Sequence, residues 1–202
     1  MNYSEIRMEA RLLLKGHWNK LAVIWLVYFI IIIGLPYLVS SIFDGLDYVA
    51  SFLIAGPLSL SIVMIILSVY ESREYDLGDL FKGFSCYDRA FMANLLVTIY
   101  TLLWALLLIV PGIIAAIKYS QVYYIMAEDP HITSADAIKL STKMMEGNKS
   151  DYAMLSLSFI GWALLCALTL GIGLLWLYSY QQMAFMIFYK KVKAKYYQRI
   201  VV

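Results

Sequence analysis

Six apolar runs dominate the chain: Leu21–Ile42, Val49–Tyr70, Phe91–Val110, Gly112–Ala127, Tyr152–Thr169 and Ile172–Tyr189. A helix rises 1.5 Å per residue, so roughly 20 apolar residues cross a hydrocarbon core about 30 Å thick. In lipid every backbone N–H and C=O must find a partner within the protein, which leaves helices and closed barrels. Runs of this length exceed the roughly 9–11 residues of a membrane strand. The expectation is an all-α, polytopic integral membrane protein, a single membrane domain over residues 1–202. Composition agrees, at 62% hydrophobic and 15% charged against roughly half and a quarter for soluble domains. The many tyrosines and tryptophans suit the two membrane–water boundaries.

Phe91–Ala127 is too long for one crossing, and Pro111-Gly112 is a turn dipeptide. Gly171 and Gly173 mark a second turn at Thr169–Gly173, and Gly56-Pro57 a helix break inside the second run. The six spans then pair into three hairpins. Cations test this reading, because Lys and Arg accumulate on the cytoplasmic side. The segments before the first span, between 71 and 89, between 129 and 151, and after 189 are all basic. The connections between them carry no Lys or Arg. The pattern predicts both termini in the cytoplasm, a retained first span, and residence in a bacterial cytoplasmic membrane.

A weak repeat runs through "LLLKGHW", "LFKGFSC" and "MMEGNKS". Each places a glycine, the favoured residue just past a helix C-terminus, before a pair of spans. Short amphipathic surface helices are expected at 4–15, 77–82 and 134–146, each preceding one hairpin.

Lys118 is the one cation inside a span. A charge at that depth costs roughly 2.5–3.5 kcal/mol on insertion scales, and no span carries Asp or Glu to offset it. Gln121 and Tyr124 follow on α-helical spacing, while Asn94 and Thr98 on the third span and Gln181 and Gln182 on the sixth form polar rows. Two readings stay open. Lys118 is satisfied by amides, phenols and carbonyls, or these residues form a cytoplasm-facing pocket for an anionic group such as a lipid phosphate or carboxylate. The tail cations Lys190, Lys191, Lys193, Lys195 and Arg199 suit anionic lipid, each contributing about 1 kcal/mol near such a surface, or simply enforce topology.

Catalysis has little support. His17 and His131 lie in connections, no nucleophile or phosphate-loop motif occurs, and Asp44 and Asp47 are the only outer acids. No metal, cofactor or nucleic-acid partner is expected. The function classes that remain are non-enzymatic binding or movement of a lipid or other amphiphilic anion, and a scaffold, regulatory or immunity-type partner of another membrane protein.

The segments "IVPGIIAAIKYSQVYYIMAEDP", "SADAIKLSTKMMEGNKSDYAMLSLSFIGWALL" and "TLGIGLLWLYSY" resemble a bacterial membrane family, domain of unknown function 975. "ARLLLKGHW" and "FKGF" extend the likeness over most of the chain. The resemblance implies a polytopic membrane protein of unassigned function and supplies no catalytic residues. Two positions depart from the family pattern, with Lys118 where Arg is usual and Ser179 where Pro is usual. Lysine is a point charge, so the resemblance implies no bidentate anion clamp here.

Overall fold

The computed structural model describes residues 2–43 and 45–201, without the side chains of 200 and 201; Asp44 lies outside them. Of these residues 83% are helical and none is in a strand. The helices are α1 (Tyr3–Leu13), α2 (Trp18–Ile42), α3 (Asp47–Tyr70), α4 (Tyr87–Leu107), α5 (Ile109–Tyr119), α6 (Val122–Glu128), α7 (Ser134–Met144), α8 (Lys149–Leu157), α9 (Ile160–Leu168) and α10 (Leu174–Val201). Five stretches are long and apolar enough to cross a membrane: α2, α3, Leu77–Leu107, Ile109–Glu128 and Lys149–Leu168. α10, which holds the sixth apolar run, is not among them. Its residues Met183–Tyr189 lie in the core, so protein surrounds much of this helix, and Gln182 accepts from the Tyr124 hydroxyl.

The expected breaks shift for identifiable reasons. α3 runs unbroken through Gly56-Pro57. Proline removes one N–H and frees the carbonyl four residues earlier. Here the Tyr87 hydroxyl donates to that carbonyl, of Leu53, at 3.3 Å, and the neighbouring Phe52 carbonyl accepts from Asn94. The turn after α4 falls at Leu108, in extended backbone, rather than at Pro111-Gly112. Pro111 instead occupies the first turn of α5, where helix N–H groups lack intrahelical partners anyway. Gly112 lets α5 close on α4, since a Cβ there would meet the Ala105 Cβ at 2.7 Å. Gly171 and Gly173 do lie between helices, and Gly171 takes a left-handed φ of 84°.

Two breaks were not signalled by proline or glycine. The fourth apolar run divides at Ser120-Gln121 and the fifth at Ser158-Phe159. In each the serine hydroxyl bonds back to a carbonyl three residues earlier, Ile117 or Leu155, a competition that bends helices. The surface segments also differ from expectation. Residues 77–86 form a 3-10 helix capped by a reciprocal Asp76–Asp79 box, and the flanking α1 and α7 stop at Leu13 and Met144.

The first and third surface segments are the same structure residue for residue. Asn2 and Thr133 cap them; Ile6, Ala10 and Leu14 are buried where Ala137, Ser141 and Met145 are buried. Each ends in a left-handed glycine, Gly16 or Gly147, just before the next helix. Gly83 in the middle segment works differently. Its φ is ordinary, and a Cβ there would overlap the Pro57 carbonyl and the Ser61 hydroxyl.

If a unit is a surface segment plus the apolar helices that follow it, the packing has a cyclic order. The 3-10 segment of the second unit packs on α3 of the first, and α7 of the third packs on α4 and α6 of the second. α1 of the first packs on α10 of the third, which closes the ring. The basic connections collect at one end through His17–Tyr75, Tyr3–Asp151, Arg89–Ile132 and Lys195–Asn148 contacts. At the other end, large apolar side chains such as Leu106, Leu168 and Leu170 are open to the surroundings.

Candidate functional site

Where the three units meet, the bundle forms a cavity of about 340 Å³ that is open on one side. The first unit contributes Tyr28 of α2 and Ser59 of α3; the second, Ser120, Tyr123 and Tyr124; the third, Tyr152 of α8 and Gln182 of α10. Trp25, Ile62, Val63 and Phe185 complete an apolar backing. None of the lining residues carries a formal charge. Phenols suit such a place, since each ring packs as an apolar body while its hydroxyl stays available for hydrogen bonding.

The floor on the basic side is closed. Tyr124 donates to Gln182 Oε1 at 2.6 Å and stacks on Tyr189, ring centres 5.6 Å apart. Below them Glu128 accepts from Tyr189 and pairs with Lys193 and, at 2.8 Å, with Lys190. Lys190 also reaches Glu71 at 3.3 Å. Charged groups from all three units thus meet in this cluster: Glu71 from the first, Glu128 from the second, and Lys190 and Lys193 from the third. Ala116, just over one turn before Ser120, is the exposed member of the lining and lies away from this floor.

The residues expected to form the site are only partly brought together. Tyr124 and Gln182 meet in the cavity wall, and Asn94 supports it by accepting from the Tyr123 hydroxyl at 3.3 Å. Gln121 is fully buried next to the wall. Its amide donates to Ser120 at 2.7 Å, and its Oε1 has no partner among the described residues. Gln181 is not in the lining, and Thr98 is exposed.

Lys118 stands apart from the cavity. Its ammonium lies 5.5 Å from the centre of the Trp104 ring on α4, a cation–π contact. Its carbonyl, freed at the Ser120 break, accepts from the Ser141 hydroxyl of α7 at 2.6 Å. The tail cations are largely engaged too, Lys191 with Glu9 and Lys195 with Asn148 besides the Glu128 cluster. Among the described residues no group of His, Cys, Asp or Glu is placed to hold a metal.

Sequence reasoning missed Tyr28, Ser59, Tyr123 and Tyr152. Tyrosine abundance alone points equally to an interfacial belt, and only a set of phenols on the inward faces of different helices separates the two. No linear spacing encodes that.

A family model described as Protein of unknown function (DUF975) matches residues 1–117 and 105–196. No curated protein and no solved structure matches the chain.

Proposed function

The chain belongs to that family of proteins of unknown function, and since membership brings no activity we propose a role from the geometry: a non-enzymatic membrane protein that binds the uncharged, hydrogen-bonding headgroup of an amphiphile in the central cavity. In this reading α10 is a sixth span, the helices pair into three membrane hairpins, and the basic end faces the cytoplasm of a bacterial cell. Polar residues on a span are expensive against lipid but not against protein, which is why α10 carries the hydrogen-bonded Gln182 at little penalty.

The observation that carries the proposal is the ring of tyrosine, serine and glutamine groups drawn from all three units, with no charge among them. An anion placed there would lose its hydration without gaining a cation, a cost of several kcal/mol in a low-dielectric site. A neutral hydroxyl-bearing headgroup meets donors and acceptors and leaves its chain against apolar walls. That moves the ligand chemistry from the anion suggested by Lys118 to a neutral group.

The test uses the full chain in detergent with a monoacylglycerol as probe. Binding should raise the melting temperature of the wild type, as any ligand selective for the native state does. Gln182→Leu, which removes a lining group, and Ala116→Trp, which fills the mouth, should each abolish the rise. Lys118→Ala should leave it intact. No stabilisation of the wild type, or its loss in Lys118→Ala with retention in Gln182→Leu, overturns the neutral-headgroup reading.

A further inference from the structure

A second recess lies where α1 passes α9 and α10. This slot of about 230 Å³ is lined by Arg11, Trp18, Trp162, Cys166, Trp176 and Tyr180 among others, and shares no residue with the central cavity. Arg11 guards one end. Its guanidinium carbon sits 5.4 Å from the Trp162 ring centre and 5.2 Å from that of Tyr180, while its Nε donates to the Tyr180 hydroxyl at 3.0 Å. Held by two rings and one hydrogen bond, the guanidinium is oriented in advance, with its terminal nitrogens left over.

Those nitrogens have no carboxylate. Among the described residues no ion pair involves Arg11, whereas Lys190, Lys191 and Lys193 are all paired with glutamates, Lys195 is bonded to Asn148, and Arg7 donates to the Ser158 carbonyl. Two residues before Arg11, Glu9 is bridged to Lys191, which sets this part of α1 at the basic end of the molecule. From Tyr180 the slot follows α10 to Gly173, about 10 Å along the helix. Its walls are the Trp176 and Leu177 side chains and Cys166. Gly173 closes it, since a Cβ there would lie 2.9 Å from the Cys166 sulfur.

We propose that this slot is a specific site for an anionic phospholipid, with the headgroup phosphate on the Arg11 guanidinium and one acyl chain laid along α10. The two halves of the slot match the two halves of that ligand. Arginine offers a planar fork for phosphate oxygens, and the recess behind it is apolar. A soluble anion has nothing to place in the slot. A zwitterionic lipid brings its own cation to the phosphate and gains less from Arg11. The tail lysines, occupied by glutamates or by Asn148, are poorer candidates for the lipid contact.

The experiment places the full chain in vesicles of phosphatidylcholine doped with either brominated phosphatidylglycerol or brominated phosphatidylcholine, and reads quenching of the slot tryptophans in a background carrying both Trp25→Phe and Trp104→Phe, the two tryptophans outside the slot. A boundary lipid without a site quenches in proportion to its mole fraction in both. The site predicts an apparent preference for phosphatidylglycerol of about fivefold, the contribution of one basic group near the surface. Arg11→Gln should bring the ratio near one. Arg11→Lys should give an intermediate ratio, and Cys166→Phe should lower it with Arg11 intact. Should Arg11→Gln not fold, the other two variants carry the test. The Gln182→Leu variant, altered in the central cavity and adding no tryptophan, should keep the wild-type ratio, which separates the two sites. A ratio of one in the wild type overturns the proposal. So does an unchanged ratio in Arg11→Lys and Cys166→Phe, or collapse of the preference in millimolar inorganic phosphate.

Discussion

The Ser61 hydroxyl does two jobs at once: it donates to the Pro57 carbonyl at 3.0 Å and accepts from the Gly83 N–H at 2.8 Å. It therefore ties the proline-bearing part of α3 to the 3-10 segment of the next unit, at a place too tight for any Cβ on Gly83. Ser61→Ala leaves a buried backbone N–H unpaired, and should destabilise the protein by about 1–3 kcal/mol in thermal or denaturant unfolding in detergent. Gly83→Ala should cost at least as much, through overpacking. Lys118 shows the opposite case. Its position inside an apolar run was legible from the sequence, and suggested an anion site. Which way the ammonium turned was not legible, because Trp104 reaches it only after α5 has folded back on α4.

Helix interruptions follow one rule at the element scale: a carbonyl released at a break is taken by a donor from another element. Tyr87 serves Leu53 at Pro57, Ser141 serves Lys118 at Ser120, and Arg7 serves Ser158 at the end of α8. This is how interrupted helices avoid unpaired carbonyls where water is absent. The expected break at Gly56-Pro57 failed because a proline does not end a helix whose freed carbonyl finds a neighbour, and the break expected at Pro111-Gly112 falls at Leu108 because Pro111 sits in the first turn of the following helix. Serine breaks went unseen because serine is common in unbroken helices. α7 owes its start to Thr133, whose hydroxyl accepts from the Asp136 N–H at 3.1 Å and donates to its carboxylate at 2.7 Å. Thr133→Ala should cost about 1 kcal/mol. The Thr133 hydrogen bond, followed by Lys139, holds the Asp136 carboxyl below its ordinary range. A depressed folded pKa stabilises the fold above the ordinary carboxylate pKa, and that contribution fades as pH falls through the lowered value. The gap between wild type and Asp136→Asn, followed by melting temperature, should therefore be full at neutral pH and narrow progressively below about pH 4.

Across the whole molecule, all three units meet at two places, the uncharged cavity and the Glu71–Lys190–Glu128 cluster beneath it. Lys190 is the shared member, so Lys190→Met should loosen all three units together. The pairs are partly solvated, at 20–25% side-chain exposure, so the expected loss is about 1–2 kcal/mol. That loss should shrink in high salt, which already screens the wild-type pairs. Single cysteines at Ser4 and Gln198, in a chain with Cys86 and Cys166 replaced by serine, should both react with membrane-impermeant maleimide only after cells are opened. Labelling of either one in intact cells would invert or break the proposed topology. What the sequence determined by itself is the helical class, the apolar segments and the clustering of cations into alternate connections. Each is a property of a local stretch against a uniform apolar medium, where length and charge decide the free energy. What only the tertiary structure decided is the cyclic docking of each surface segment on another unit, the inward phenols that make the cavity, and the pairing state of each cation. Those depend on which faces of distant helices are brought within a few ångströms, and neither spacing nor composition fixes that distance.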